Sequence, residues 1–283
     1  HGIRCAVVRP RTGGIVDPQD VADALDDTTR MVSVMLVNNE TGAIQPIAEI
    51  AQAISDFSAR HGRRILLHTD AVQALGKIPL SMAALGVDAA SFSGHKLGAP
   101  RGVGALWIRD GVSPMFLTAG GEQEGGRRPG TENLAGIAAM TVALERRLSA
   151  MEQELTLARE NEERLLTGLA SLPGARIFPQ ERRPAGSFSP YIVCAGFPPV
   201  PAEVVVRVAD ARGFCISTGA ACSSKKKDRT RVTESMGLSH ATALCAIRVS
   251  TGYSTSAEQI GAFLDALRHE TAGLLAVAGG RAT

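Results

Sequence analysis

The 283-residue chain lacks a long apolar stretch, a paired cysteine motif and a marked excess of charge. Its apolar runs are too short to span a membrane, and a net charge of +2 does not favour nucleic acid or an anionic membrane as partner. The five cysteines include no CxxC pair, which disfavours a disulfide framework or a zinc site and suits a reducing cytosol. We therefore expect a cytoplasmic protein without a metal ion, membrane segment or direct nucleic-acid contact.

Short apolar, β-branched runs alternate with helical patterns in the first half of the chain. Such runs are typical of buried strands in a parallel sheet, and the alternation predicts an α/β layer structure. A further strand-like run, VVRP, stands near the N-terminus. The other predicted elements are strands at 31–37, 64–70, 86–94 and 102–108 and a helix at 47–62.

A long helical pattern covers residues 132–172, and Pro173 and Gly174 end it. The rest of the chain has short apolar runs and a final helix from about Ser256, which predicts a smaller α/β domain. We expect the domain boundary within the long helix. Residues 1–150 then form a large domain, and residues 151–283 hold the linking helix and the small domain.

Two polar motifs stand where predicted strands end, HTDAVQ at 68–73 and SFSGHK at 91–96. Ligands of open α/β sheets bind at the carboxyl ends of the strands, so Asp70 faces a cleft there or, alternatively, caps a helix. Lys96 follows a Ser-Gly turn whose backbone can cradle a phosphate. A nucleophilic lysine with a carboxylate that keeps a pyridine nitrogen protonated is what a pyridoxal phosphate enzyme needs.

Three other polar positions have two interpretations each. NNETG at 38–42 is a polar turn or directs an amide at a cofactor or substrate. Thr131 stands near a helix start, where it caps the helix or binds an anion, and we favour the cap. Arg248 lies in an apolar strand-like run and needs a carboxylate partner from the protein or a substrate.

Cys222 differs from the other cysteines because it lies in a loop of small residues followed by three lysines. Nearby positive charge lowers a thiol pKa, so we expect Cys222 to be reactive. The lysines at 225–227 are either a solvated loop or a docking site for an acidic partner. Cys194, Cys215 and Cys245 lie in apolar runs, and we expect inert core thiols there.

Six motifs, in this order, make the chain resemble the cysteine desulfurases of the nitrogen-fixation and iron–sulfur-cluster type: VNNETG, HTDAVQ, SGHK, RPGTEN, STGAACSS and IRVSTG. These enzymes belong to aminotransferase class V, within the fold-type I pyridoxal phosphate transferases. The resemblance implies a mostly parallel sheet in the large domain and a smaller α/β C-terminal domain. It also implies a homodimer that converts L-cysteine to L-alanine and passes sulfur to an acceptor for iron–sulfur cluster assembly or thiolation.

The resemblance also implies roles for single residues. Lys96 would bind pyridoxal phosphate as a Schiff base, and Cys222 would accept the sulfur as a persulfide. Asn39 would lie beside the cofactor ring and the substrate, and Arg248 would hold the substrate carboxylate.

The other implied roles concern the cofactor. Asp70 would pair with the pyridine nitrogen and Gln73 would bond the ring hydroxyl. Ser93 and His95 would contact the phosphate side. Thr131 would reach the phosphate bound by the neighbouring subunit.

The chain departs from the family pattern at its start. The family has a preceding segment with a Gly-Thr phosphate-binding turn and a histidine that stacks on the cofactor, and neither feature stands before the VVRP run of this sequence. We therefore expect an incomplete sheet with normally buried surface exposed. The alternatives are another class V enzyme, such as a selenocysteine lyase or an aminotransferase, and an inactive truncated scaffold.

Overall fold

The structure is a computed structural model and describes residues 2–113, 120–180, 182, 186–219 and 231–279. The chain divides into two compact units. The parallel-sheet unit comprises Leu25–Leu36 and Ile47–Met151, and the antiparallel-sheet unit comprises His1–Ala24, Val37–Pro46 and Glu152–Thr283. The division into a cofactor domain at 1–150 and a cysteine-loop domain at 151–283 stays a prediction.

Helices and strands are interspersed along the chain. In chain order they are α1 (Pro18–Asp23), β1 (Met31–Met35), α2 (Ile47–His61), β2 (Leu66–Asp70), α3 (Met82–Leu85), β3 (Ala89–Ser93), β4 (Gly104–Ile108), α4 (Leu134–Ala170), β5 (Arg176–Phe178), β6 (Ile192–Gly196), α5 (Ala202–Ala211), α6 (Arg231–Ser235), α7 (His240–Ala243), β7 (Ala246–Ser250) and α8 (Ala257–Gly279).

The parallel-sheet unit contains one four-stranded sheet in the order β1-β2-β3-β4. Strands β1, β2 and β3 are parallel, and β4 returns antiparallel to β3. Helix α2 connects β1 to β2 and helix α3 connects β2 to β3. Because such crossovers are almost always right-handed and the strand order advances in one direction, both helices lie on the same face of the sheet. Helix α2 contacts α3, as this arrangement requires.

The opposite face of this sheet receives no helix from these crossovers, and we call it the open face. Side chains alternate between faces along a strand, so strand register identifies its members. Its polar members continue across three strands, since Ser33 pairs with His68 and Asp70 pairs with Ser91. The open face comprises Met31, Ser33, Met35, Leu66, His68, Asp70, Ala89, Ser91, Ser93, Gly104, Leu106 and Ile108.

The antiparallel-sheet unit contains a three-stranded sheet in the order β5-β6-β7, with both pairings antiparallel. Its largest core cluster joins the second half of α4 to β6, α5, β7 and α8, and Phe197, Leu165 and Leu267 are among its fully buried side chains. This apolar burial provides the main stabilisation of the unit.

The strands predicted at 31–37, 64–70, 86–94 and 102–108 and the long helices are confirmed, with bounds that differ by a few residues. The predicted VVRP strand is wrong, because residues 2–10 form neither helix nor strand and are mostly exposed. A β-branched run becomes a strand only where a partner strand can pair with it. None of the described helices is long and apolar enough to cross a membrane.

Candidate active site

Asp70 is the last residue of β2 and turns the chain at the edge of the sheet. Its Oδ1 accepts a hydrogen bond from the Val72 amide at 3.0 Å, and the Ala71 amide donates to the Ser91 carbonyl at 3.0 Å. The carboxylate therefore heads a tight turn at the carboxyl end of β2. The prediction that Asp70 caps a helix is wrong, because a turn rather than a helix follows β2. The turn engages Oδ1 of Asp70 and leaves Oδ2 for a ligand.

His68 lies on the same face as Asp70, two residues earlier on β2. Its Nδ1 is 2.8 Å from Ser33 Oγ on β1, and its Nε2 is 2.8 Å from Ser91 Oγ on β3. Burial lowers the pKa of His68, and the nearby Asp70 charge opposes that shift. The imidazole is thus held between two hydroxyls beside Asp70, and burial favours its neutral form.

Gln73 follows in the turn after β2. Its Oε1 accepts a hydrogen bond from Lys77 Nζ at 2.5 Å. With the oxygen engaged by Lys77, the Nε2 amide group is the end of Gln73 that can donate to a ligand oxygen.

Lys96 lies in a 3₁₀ turn, Gly94–Leu97, directly after β3. The turn is fixed at both ends, because a Cβ on Gly94 would come within 2.8 Å of Val103 and Leu97 is buried. The Lys96 and His95 side chains are exposed on this rigid turn. Ser93 Oγ and His95 Nδ1 are hydrogen-bonded at 2.8 Å, which orients the imidazole toward the end of β3.

Thr131 does not cap the helix that follows it, so the favoured prediction was wrong. Helix α4 begins at Leu134, and the Oδ1 of Asn133 accepts the hydrogen bond from the Gly136 amide at 3.0 Å. The cap therefore belongs to Asn133, the residue before the first helical position. Thr131 lies exposed before the cap.

Five of the predicted site residues therefore gather at one edge of the parallel sheet. Strands β2 and β3 are parallel neighbours, so their carboxyl ends lie at the same edge. The residues in this group are Asp70, Gln73, Ser93, His95 and Lys96.

The open face beside these residues exposes apolar side chains. Met31 is 55% exposed, Leu106 is 47% exposed and Met35 is 36% exposed. Parallel sheets are normally covered on both faces.

Asn39 and Arg248 belong to the antiparallel-sheet unit. Asn38 builds the NNETG turn, since its Oδ1 accepts from the Glu40 and Thr41 amides at 2.9 and 3.0 Å. The carbonyl of Asn39 then accepts from Arg248 Nη1 at 3.2 Å. Both interpretations of the motif are compatible with this turn, because Asn38 forms it and the side chain of Asn39 makes no hydrogen bond within the described ranges.

Arg248 lies on β7, and its hydrogen-bond partners are main-chain carbonyls and a hydroxyl rather than a carboxylate. Its Nη1 donates to the carbonyls of Asn39 and Gly219 at 3.2 Å each, and its Nε donates to Ser250 Oγ at 3.1 Å. Burial raises the pKa of Glu40, and the charge of Arg248 opposes that shift. No carboxylate of the described residues forms an ion pair with this guanidinium, so Arg248 has capacity to bind an anionic ligand.

The cysteines divide by exposure. Cys194 and Cys245 are buried, as predicted, and burial raises the pKa of Cys194 to about 12. Cys215 is exposed, so its prediction as a core thiol was wrong. Phe214 and Ile216 on either side pack against the core, and alternation turns Cys215 outward. Cys222 and the lysines at 225–227 lie outside the described residues.

The structure adds polar residues that the sequence reasoning missed. His68 stands inside a motif noted for other residues, and its hydroxyl partners lie on neighbouring strands. Arg182 and Glu162 form a fully buried ion pair. An arginine after a run of polar residues gives no sequence signal of burial.

The group at the carboxyl ends of β2 and β3 matches the chemistry of pyridoxal phosphate. The aldehyde requires an amine, which Lys96 offers, and the pyridinium nitrogen requires an acceptor, which Asp70 offers. A ring oxygen suits the Gln73 amide, and a phosphate suits the Ser93 hydroxyl and the His95 imidazole. The residues present fit this cofactor.

The fold and this polar edge define an α/β protein with polar side chains gathered at the carboxyl ends of parallel strands, the place where such sheets bind ligands. Residues 1–263 match the family described as "Aminotransferase class-V". The chain belongs to the aminotransferase class-V family.

Individual proteins agree with this assignment. The chain is 39% identical over 254 residues to a "NifS/IcsS protein homolog" of Lactobacillus delbrueckii subsp. bulgaricus, covering 89% of this chain and 64% of that protein. It is 36% identical to a "Cysteine desulfurase" of Cereibacter sphaeroides, covering 90% of this chain and 62% of that protein. The solved structure of a "NIFS-LIKE PROTEIN" has a TM-score of 0.84 and 31% identity, covering 96% of this chain and 69% of that one.

These comparisons confirm the resemblance and the fold expected from the motifs. The chain spans about 62 to 64% of the length of the two curated relatives that it matches.

Proposed function

We propose that this chain is part of a pyridoxal phosphate-dependent cysteine desulfurase. The substrate is L-cysteine, the products are L-alanine and a persulfide on Cys222, and the sulfur passes to an acceptor protein. One observation carries the proposal: Asp70 and the Lys96 turn stand at the carboxyl ends of two adjacent parallel strands. The relatives named cysteine desulfurase support the choice of reaction within the family.

The cofactor, when bound, supplies an electron sink that stabilises negative charge at the substrate Cα. Asp70 holds a proton on the ring nitrogen, and the turn that fixes one of its oxygens keeps the carboxylate in position. Gln73 donates its amide to the ring oxygen, and Ser93 and His95 hold the phosphate. The amine of Lys96 would hold the cofactor through its aldehyde, and the same amine would serve as the general base for the substrate Cα proton.

Substrate binding and sulfur transfer use other side chains. Arg248 binds the substrate carboxylate, and Asn39 contacts the substrate beside it. The Cys222 thiolate forms a bond to the substrate sulfur while the carbon–sulfur bond breaks. The electron pair of that bond stays with the three-carbon fragment, which gains a proton and leaves as alanine. Cysteine and the enzyme thiol thereby become alanine and the enzyme persulfide, with no external oxidant.

The partners follow from the family. Thr131 contacts the phosphate bound by the neighbouring subunit of a homodimer. The acceptor is a protein of iron–sulfur cluster assembly or of thiolation, and the lysines at 225–227 attract an acidic acceptor surface. The protein works in the cytoplasm, where thiols stay reduced.

The test is product stoichiometry in purified protein supplied with pyridoxal phosphate and L-cysteine. We expect equal amounts of alanine and of sulfide released by a reductant. Cys222→Ser should abolish both products, whereas an aminotransferase would retain turnover because its reaction needs no loop thiol. Selenocysteine consumed in preference to cysteine would favour the selenocysteine lyase alternative. No turnover of any amino acid, in folded protein carrying the cofactor, would favour the inactive scaffold.

A further inference from the structure

Arg182 and Glu162 form an ion pair that is closed to solvent. Both side chains are 0% exposed, and Arg182 Nη2 lies 2.6 Å from Glu162 Oε1. Burial raises the pKa of the Glu162 carboxyl and lowers the pKa of the Arg182 guanidinium, and the attraction between the two groups opposes both shifts. Removing either partner would leave an uncompensated buried charge.

Arg182 also contacts two main-chain oxygens in separate segments. Its Nη1 donates to the Thr41 carbonyl at 2.7 Å, and its Nη2 donates to the Ser189 carbonyl at 3.1 Å. The guanidinium lies over the ring of Phe188, 4.7 Å from its centroid. The Arg182 side chain therefore connects three segments: the NNETG turn, the residues Phe188 and Ser189, and helix α4, which carries Glu162.

The turn held by Arg182 has almost no space to move. The Ser189 amide donates to the Gly42 carbonyl at 2.8 Å. A Cβ on Gly42 would come within 2.7 Å of the Ile192 carbonyl and 3.3 Å of Arg182 Nη1. The side chain of Asn38 fixes the same turn from inside. The NNETG turn is therefore closely packed on the side of Gly42, and the Arg182 guanidinium is one of the groups that pack against it.

The same turn presents the Asn39 carbonyl to Arg248 at 3.2 Å. A continuous set of contacts therefore runs from Glu162 through Arg182 and the NNETG turn to Arg248. All of its members lie in the antiparallel-sheet unit.

A buried ion pair is a poor source of stability, because apolar residues of similar volume stabilise a core equally well or better. An arginine offers something that apolar residues do not: a planar fork that fixes several acceptors at once. We propose that Arg182, held by Glu162, is a positioning residue that sets the NNETG turn so that Asn39 orients Arg248 for the substrate carboxylate. This inference rests on the proposed function.

The test uses a variant that removes both charges together. Arg182→Met alone should lower the melting temperature by roughly 10 °C, because Glu162 is left buried and unpaired. The double variant Arg182→Met/Glu162→Leu should recover most of that stability. In the double variant we expect KM for L-cysteine to rise about tenfold, the effect of weakening one charge-assisted hydrogen bond, while kcat changes little.

Two controls separate positioning from general packing. Arg212→Met/Glu270→Leu removes the partly exposed Arg212–Glu270 pair in the same unit and should leave KM unchanged. Arg182→Lys keeps the charge opposite Glu162 without the fork, so it should fold and still raise KM. A double variant with restored melting temperature and wild-type KM would show that the pair only fills the core. Arg182→Lys with wild-type KM would overturn the inference equally.

A measurement that does not need activity keeps this inference separate from the proposed function. The Gly42 and Ser189 amides are both hydrogen-bonded at the turn. We therefore expect them to exchange with deuterium faster in Arg182→Met/Glu162→Leu than in the wild type, even though the double variant recovers most of the stability. Wild-type exchange rates there would contradict the positioning role. Absence of desulfurase turnover in the wild type, with the exchange result as expected, would contradict the proposed function alone.

Discussion

Arg248 Nη1 donates a hydrogen bond to the main-chain oxygen of Asn39 at 3.2 Å, joining residues 209 positions apart. The same nitrogen donates to the Gly219 carbonyl at 3.2 Å. Main-chain carbonyls orient a guanidinium without neutralising its charge. The side chain is thus held in position and remains cationic for an anionic ligand.

Arg248→Lys should raise KM for L-cysteine by roughly 10- to 100-fold with a smaller effect on kcat, because an ammonium cannot contact the two carbonyls and a carboxylate together. Initial rates of alanine formation over a range of cysteine concentrations measure this. Arg268→Lys, at an exposed arginine paired with Asp265, is the matched control and should behave as wild type. An unaltered KM in Arg248→Lys would remove Arg248 from substrate binding.

Gly42→Ala should destabilise the protein by about 3 kcal/mol, combining left-handed backbone strain with overpacking. Gly42 has φ of +79°, and an added Cβ would come within 2.7 Å of the Ile192 carbonyl. Gly213→Ala is the control, since its φ is +84° and nothing lies within 4 Å of the added atom. That variant should lose only about 1 kcal/mol in urea unfolding. Equal losses in the two variants would mean that the NNETG turn is not closely packed.

His68 should make stability depend on pH. Its pKa in the folded protein is lowered by burial, so the unfolded chain binds more protons between the two pKa values. The stabilisation is fully present above the unfolded value of about 6.5 and is lost as the pH falls through the folded value. His68→Gln keeps hydrogen-bonding groups between Ser33 and Ser91 without titrating. Urea unfolding from pH 7.5 to 5 should therefore show a shallower decline in this variant, and an identical decline would contradict this role.

The sequence predicted the Asp70 and Lys96 positions well because each follows an apolar run that ends where its strand ends. Thr131 failed because a cap depends on the first residue of the helix, and α4 begins two residues later than predicted. His68 was missed because its hydroxyl partners are 35 and 23 residues away. Arg182 was missed because its burial depends on α4 and the NNETG turn, which are distant in sequence.

The exposure of the open face could not be predicted from the apolar pattern of the strands. Apolar runs indicate that a strand is buried, but they do not indicate which element packs on each of its two faces. The strand order assigns both crossover helices to one face and leaves Met31, Met35 and Leu106 exposed on the other. This property follows from topology rather than from any single residue.

Thiol labelling should separate the cysteines by rate. In native protein at pH 7.5, Cys5 and Cys215 should react with iodoacetamide, because both are exposed. Cys194 should remain unlabelled, since burial raises its pKa to about 12. Cys222 should react faster than Cys215 if it is the sulfur-accepting nucleophile. Peptide mass spectrometry over a time course gives each rate, and a Cys222 slower than Cys215 would contradict its proposed role.

The most direct test of the account is the position of the cofactor bond. Purified protein is incubated with pyridoxal phosphate, reduced with borohydride and mapped by peptide mass spectrometry, with Lys77→Arg and Lys96→Arg as matched variants. We expect a visible absorbance band and a stable phosphopyridoxyl label on Lys96 that survives Lys77→Arg and disappears in Lys96→Arg. A specific label on another lysine, or no label in folded protein, would contradict the assignment of Lys96 and the proposed active site built on it.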